Sequence, residues 1–292
     1  MDIIYRYDSF AAVDFQQCDT PELAIEALQA GNRRHQEIVS QVQAEVMGEA
    51  KPAPLVIPSN PLSLGLSLVP GLAPVQNPFA IILGCSDARA SVERIFDHSL
   101  NQLFTIRVAG NVLGTECLGS VEFAVLNLSS DLRLLIVLGH TGCGAVSGAV
   151  DLYLKPEAYI DVVKTHSLRT IVDRILVVVR GADRSLHDLC GPDTSQQPGY
   201  REALLEMSVY LNAALTAHDL IRELKLSTAD RIKVVFGVYN LASHKVEAMP
   251  EDETAFQPAP LSTEDFKALS RELALSVRNR GILAPLDDPN LA

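Results

Sequence analysis

The sequence predicts an α/β fold: a mostly parallel β-sheet flanked by helices, with an N-terminal helical arm and a C-terminal helical extension. Three observations carry this reading. Apolar runs at 79–84, 103–108, 134–139 and 232–239 are rich in Val, Ile and Leu, as strands buried on both faces are. Segments of helical periodicity at 91–98, 119–128 and 200–224 separate them, and such alternation calls for a parallel sheet covered by helices. The 292 residues are 48% hydrophobic and 21% charged, ample for a buried core.

Taken in order, the elements follow from local chemistry. Residues 1–8 show no basic region leading into an apolar one, so no secretory signal is expected. Asp19-Thr20-Pro21-Glu22 offers an N-cap, a first-turn proline and an early acid. Ala24, Ala27, Leu28, His35 and Ile38 then recur at helical spacing, past Gly31 and into the forties, which defines an arm over 1–47. Residues 48–78 carry seven prolines among Leu, Val and Gly, so 48–75 reads as an extended connector hugging a surface. The α/β core spans 76–250, with 181–199 (rich in Gly, Asp, Ser, Gln and Pro) expected as a surface loop. The extension, 251–292, holds a polar stretch, a helix over 262–278 and a proline-containing tail. No internal repeat is visible.

A formal charge of −12, without any Lys/Arg-rich run, argues against nucleic acid and anionic membrane as partners. No stretch of about 18 apolar residues suggests a membrane span. The five cysteines (Cys18, Cys85, Cys117, Cys143 and Cys190) are odd in number and scattered, as reduced thiols are, so a cytoplasmic location is expected.

Two motifs carry chemistry. Cys85-Ser86-Asp87-Ala88-Arg89 follows the run at 79–84, and His140-Thr141-Gly142-Cys143 follows the run at 134–139. Two thiolates and one imidazole, at the carboxyl ends of two buried strands, make a three-ligand zinc site with its fourth position open to water or substrate. Asp87 and Arg89 add a carboxylate and a guanidinium beside the first ligand. Taken singly, each cysteine could be an inert core thiol and the Asp87–Arg89 pair a surface ion pair worth under about 1 kcal/mol. The combination points to a reactive site holding one Zn2+ per chain. Cys18, Cys117 and Cys190 read as structural, and nothing in the sequence brings His98 or His187 to the metal.

Across roughly 19–250 the chain resembles the β-class carbonic anhydrases. The resemblance rests on the two motifs, on Phe104-Thr105-Ile106-Arg107-Val108-Ala109-Gly110-Asn111, on Ser120-Val121-Glu122-Phe123-Ala124-Val125, and on Ala27 to Arg34 as the family's N-terminal helix. It implies a zinc lyase that interconverts carbon dioxide and bicarbonate, with Cys85, His140 and Cys143 as ligands. It also implies that Arg89 holds the Asp87 carboxylate off the metal, whereas in the closed form of some members the aspartate binds as a fourth ligand. Two thiolates offset the formal +2 charge, so the metal acidifies its water less than the imidazole-bound zinc that brings it to about 7. Asp87 then compensates by orienting zinc hydroxide, and Arg89 frees it to do so through a bidentate pair.

Gln76 matches the glutamine that plant-type members place over the substrate. Phe104, Phe123 and Ala109 match pocket positions, the two phenylalanines being expected in the core as well. Family members build this pocket across a dimer interface, which implies a homodimer or higher homo-oligomer. Val108 and Ala88 depart from the family's usual asparagine and serine and are expected to tune rather than abolish activity. The chain has no Trp, so the Trp-Arg-Tyr clamp of bicarbonate-regulated members cannot form. Two other functions compete: hydrolysis of carbonyl sulfide or carbon disulfide at the same ligands, and a zinc-stabilised scaffold acting through 48–75 and 250–292.

Overall fold

A computed structural model of the chain describes residues 3–7, 18–51, 54–59, 69–98, 100–128, 130–226 and 231–283. Its centre is a sheet of β3 (Ala80–Gly84), β4 (Leu103–Arg107), β5 (Leu134–His140), β6 (Lys233–Tyr239), β7 (Val246–Glu247) and β8 (Gln257–Pro258). The strand order is β4-β3-β5-β6-β7, with β8 also on β6; β3 to β6 run parallel, and β7 and β8 pair antiparallel with β6. Ile81, Ile82, Leu83, Leu135, Ile136 and Val137 are wholly buried, as expected of strands covered on both faces. From β3 the chain goes to one side to form β4 and then returns to the other to form β5. The carboxyl ends of β3 and β5 therefore flank a topological switch point, where parallel sheets open a crevice.

The helices are α1 (Pro21–Val46), α2 (Val92–Ile95), α3 (Thr115–Asn127), α4 (Gly144–Leu154), α5 (Tyr159–Val162), α6 (His166–Cys190), α7 (Tyr200–Leu224) and α8 (Thr263–Asn279). Helices α3, α4, α6, α7 and α8 pack their apolar stripes on one face of the sheet, and α1, α2 and Phe256 cover the other. Helix α1 starts as expected, with the Leu23 N–H donating to Thr20 Oγ1 and Pro21 in the first turn. It touches the core so closely that a Cβ on Gly31 would lie 1.7 Å from the Phe96 carbonyl oxygen. Buried Asn32 fastens the same turn, donating to Ile95 and His244 carbonyls (3.0 Å each) and accepting from the Val246 N–H at 2.9 Å. Among the described residues, no helix is long and apolar enough to cross a membrane.

Several expectations need correction. The polar stretch from 181 is not a loop as far as 190: it completes α6, and only 191–199 lies outside that helix. Its Asp, Arg and Ser lie on the more exposed side, while Val178, Val179, Ala182 and Leu186 continue the buried stripe. Helix α2 is a single turn ending before Asp97, whose φ of 45° is left-handed, and α3 begins four residues earlier than expected. Helices α4 and α5 were not anticipated. Within 48–75, residues 55–59 form strand β2, paired in parallel with β1 (Ile3–Tyr7). Val69, Leu72 and Val75 are 53%, 63% and 84% exposed, so this part of the connector does not bury its apolar side chains in the single chain. Residues 60–68, and the tail from 284, lie outside the described residues.

Candidate metal centre

Cys85 leaves β3, His140 ends β5 and Cys143 immediately precedes α4, so two strands and a helix start converge on one point. The three ligand atoms lie within 4.8 Å of one another, and all three residues are buried. The two Sγ atoms are 3.9 Å apart, far beyond a disulfide length of about 2.05 Å. Two Zn–S bonds of about 2.3 Å at a tetrahedral angle would set sulfurs about 3.8 Å apart, so the pair already has the spacing zinc needs.

The imidazole is equally well prepared. His140 Nδ1 sits 3.0 Å from the Thr141 carbonyl oxygen; donating there leaves Nε2 as the lone-pair nitrogen. Nε2 is buried and without a hydrogen-bond partner, an orphan that a metal would satisfy. The thiols show the same need. Hydrogen bonding from the Cys143 thiol, with help from the neighbouring imidazole and from backbone N–H groups, pulls Cys85 down to about 4 against the effect of burial. The Cys85 sulfur and burial push Cys143 up. Without a cation, one thiolate at a time is the stable state; a divalent ion would allow both. For His140, burial favours the neutral ring, but the Cys85 sulfur outweighs it and raises the pKa. The donor set, its spacing and its orphan nitrogen fit zinc.

Around the three ligands, hydrogen bonds fix a carboxylate. Arg89 grips Asp87 with two forked bonds, Nε to Oδ1 at 3.0 Å and Nη2 to Oδ2 at 2.7 Å, and its backbone N–H adds a third to Oδ1 at 2.9 Å. These bonds hold the Asp87 carboxyl well below the usual carboxylate range. Asp87 Oδ2 lies 3.8 Å from His140 Nε2, beside the position a metal would take.

Three groups not singled out from sequence complete the geometry. Arg107 donates from Nε to the Cys85 carbonyl at 3.0 Å and from Nη2 to the Asp87 carbonyl at 2.5 Å, clamping the loop. The Gly110 N–H points at Cys85 Sγ, 3.4 Å away; its φ of 68°, with Ile175 Cδ1 2.9 Å from any added Cβ, excludes other residues. Buried Asn212 on α7 donates to the Gly110 carbonyl at 2.7 Å. A lone amide inside the apolar stripe of α7 was the signal for Asn212; for Arg107 it was a cation at the end of an apolar run.

Cys85, His140, Cys143, Asp87 and Arg89 thus come together. Gln76 and Ala109 are exposed, Phe104 is half-buried against the core, and none of them hydrogen-bonds to the cluster among the described residues. Phe123 is 52% exposed and is not the core residue expected, because α3 buries Val121 and Ala124 and turns Phe123 outward. His98 pairs with Gln102, and His187 with Asp183, outside the cluster.

A family model described as "Carbonic anhydrase" matches residues 80–246. "Carbonic anhydrase 2" of Mycobacterium tuberculosis is 48% identical over 80 residues, which is 27% of this chain and 38% of that one. "Carbonic anhydrase" of Mycolicibacterium smegmatis is 36% identical over 113 residues, 39% of this chain and 52% of that one. The chain therefore spans between two fifths and about half the length of these relatives. Among solved structures, a Coccomyxa beta-carbonic anhydrase in complex with acetazolamide matches 69% of this chain and 84% of that chain at 19% identity, with a TM-score of 0.47.

Proposed function

The chain belongs to the β-class carbonic anhydrase family, and from that premise we propose that it is a zinc enzyme converting carbon dioxide and water to bicarbonate and a proton, reversibly. The observation that carries this reading is the convergence of Cys85, His140 Nε2 and Cys143 beside a carboxylate already locked by a guanidinium. Cys85, His140 and Cys143 would hold the zinc, which supplies Lewis-acid activation of water. Asp87, its carboxylate fixed beside His140 Nε2, would accept a hydrogen bond from that water and so orient it for the substrate. Arg89 occupies both Asp87 oxygens, which restrains the carboxylate from turning onto the cation. Burial of the ligands keeps the site dry on the protein side and strengthens these charge interactions.

The substrate pocket we assign to Gln76, Phe104, Ala109 and Phe123 is completed across a homodimer. Among the described residues β4 is an edge strand with no partner on its outer side, and Phe123 and Leu126 on α3 are 52% and 78% exposed, which together favour burial against a second copy. The unit carrying the chemistry is 76–250, flanked by the arm, the connector and the extension, and the location is cytoplasmic.

Stopped-flow hydration of carbon dioxide by protein of known zinc content, from about pH 6.5 to 9, tests the reading across the range in which metal-activated water titrates. Turnover that rises with pH at one zinc per chain is the expected result. Full zinc without hydration at any pH would overturn it and favour the sulfur substrates or the scaffold.

A further inference from the structure

Helix α8 lies beyond the residues the family model matches and runs beside α6. Between them is a cavity of about 570 Å³, within the size range of small-ligand pockets. Its apolar surface comes from Phe266 and Leu189, and its polar floor is the Ser185–Ser270 hydroxyl pair, 2.6 Å apart with Ser270 buried. Three exposed cations line the cavity: Arg184 from α6, and Lys267 and Arg271 from α8.

Two features make this groove more than a gap between helices. The first is charge. In a chain with 36 acidic and 24 basic residues, three cations gather around a single lining carboxylate, Asp188, and none of the three makes an ion pair with a described residue. Lys267 and Arg271 stand four apart on one helix, a like-charge arrangement that weakens α8 unless an anion offsets it. The second is Gly181, in the middle of α6. A glycine there costs the helix about 1 kcal/mol relative to alanine. Its φ is not left-handed, and the nearest neighbour of an added Cβ is the Phe266 ring edge at 3.9 Å, an ordinary contact. Neither backbone conformation nor close packing requires glycine at 181. What its missing side chain provides is depth in the cavity.

We propose that the α6–α8 groove binds a small amphipathic anion, its apolar body against Phe266, Leu189 and Gly181 and its anionic head among Arg184, Lys267 and Arg271. This site is separate from the metal centre and does not depend on zinc.

8-Anilinonaphthalene-1-sulfonate, an aromatic body bearing one anion, is a suitable probe for the full-length zinc protein, read by fluorescence titration. One saturable site per chain is expected. N-phenyl-1-naphthylamine, the same body without the sulfonate, should bind roughly tenfold more weakly, because the charged contacts are lost. The double variant K267E/R271E should lose roughly tenfold in affinity by the same reasoning. Gly181→Leu should abolish binding by filling the floor while the K267E/R271E protein, altered only at exposed positions, keeps its fold and zinc. Affinity for the sulfonate unchanged in K267E/R271E, or equal binding of the neutral analogue, would overturn the proposal.

Discussion

The loops after β3 and β5 bring candidate metal ligands to the same point but are held by a different balance of bonds. His140 and Cys143 are each 1% exposed and are fixed by the backbone. Strand register sets His140 opposite Tyr239, the Thr141 N–H donates to the Tyr239 carbonyl at 2.9 Å, and Cys143 opens the first turn of α4 by accepting from the Ser147 N–H. The Cys85–Arg89 loop has backbone bonds of its own, the Ser86 N–H to the Val108 carbonyl at 3.2 Å and the Ala90 N–H to the Asp87 carbonyl at 3.0 Å, but side chains do more of the holding. Arg107 grips its carbonyls, and Arg89, its own side chain 61% exposed, grips its carboxylate. The backbone-pinned loop offers two donor atoms and no carboxylate, whereas the loop held by guanidinium forks offers one donor atom and an acid fixed beside it, which is the division of labour the proposed chemistry requires.

The comparison breaks most sharply at Cys143. Cys143→Ala removes one of the three proposed ligands, on the loop pinned by backbone bonds, so zinc affinity should fall by more than the 10- to 100-fold typical of supporting residues. Metal analysis after dialysis checks this; one zinc retained per chain would remove Cys143 from the ligand set. On the adjustable side, Arg89→Ala should keep stoichiometric zinc yet lower kcat/KM by about 10²- to 10³-fold, the scale of a lost preorganised electrostatic group. Near-normal turnover in that variant would mean that Asp87 needs no restraint.

The same contrast explains what could be read in the sequence. The rigid parts were legible because their chemistry is local: the runs at 79–84 and 134–139 hold no charged or polar side chain and are dominated by Ile, Leu and Val, and Cys85 and His140 stand where those runs end. Helix α1 announced itself by Thr20 and Pro21, and 200–224 matched α7 residue for residue. What failed was of two kinds. At 181–190 average polarity hid a buried stripe, because Ala182 and Leu186 are too sparse to outweigh Asp183, Arg184, Ser185 and Asp188. Phe123 failed because an aromatic within an apolar helix gives no sign of which face the core will claim. The long-range supports were invisible for a different reason: Asn212 and Gly110 are 102 residues apart, and only the packing of α7 on the sheet brings them together.

Those supports are where smaller effects are expected. Asn212→Ala leaves the Gly110 carbonyl unpaired in a buried setting, at a cost of about 1–3 kcal/mol in unfolding free energy, with a modest fall in turnover as the Gly110 N–H loosens from Cys85 Sγ. Denaturant titration of the zinc-loaded protein measures it, and unchanged stability would show that another donor reaches that carbonyl. Arg107→Ala should cost less, about 1 kcal/mol, because water can reach the exposed Asp87 end of the clamp. Its consequence should fall on Asp87 rather than on metal retention: zinc stays, and kcat drops more than KM rises. Arg107→Lys is the discriminating variant. A single ammonium cannot span the Cys85 and Asp87 carbonyls as the planar fork does, so lysine should rescue little of the lost kcat. Full rescue would show that Arg107 supplies only charge, and that the loop after β3 is shaped by its own backbone after all.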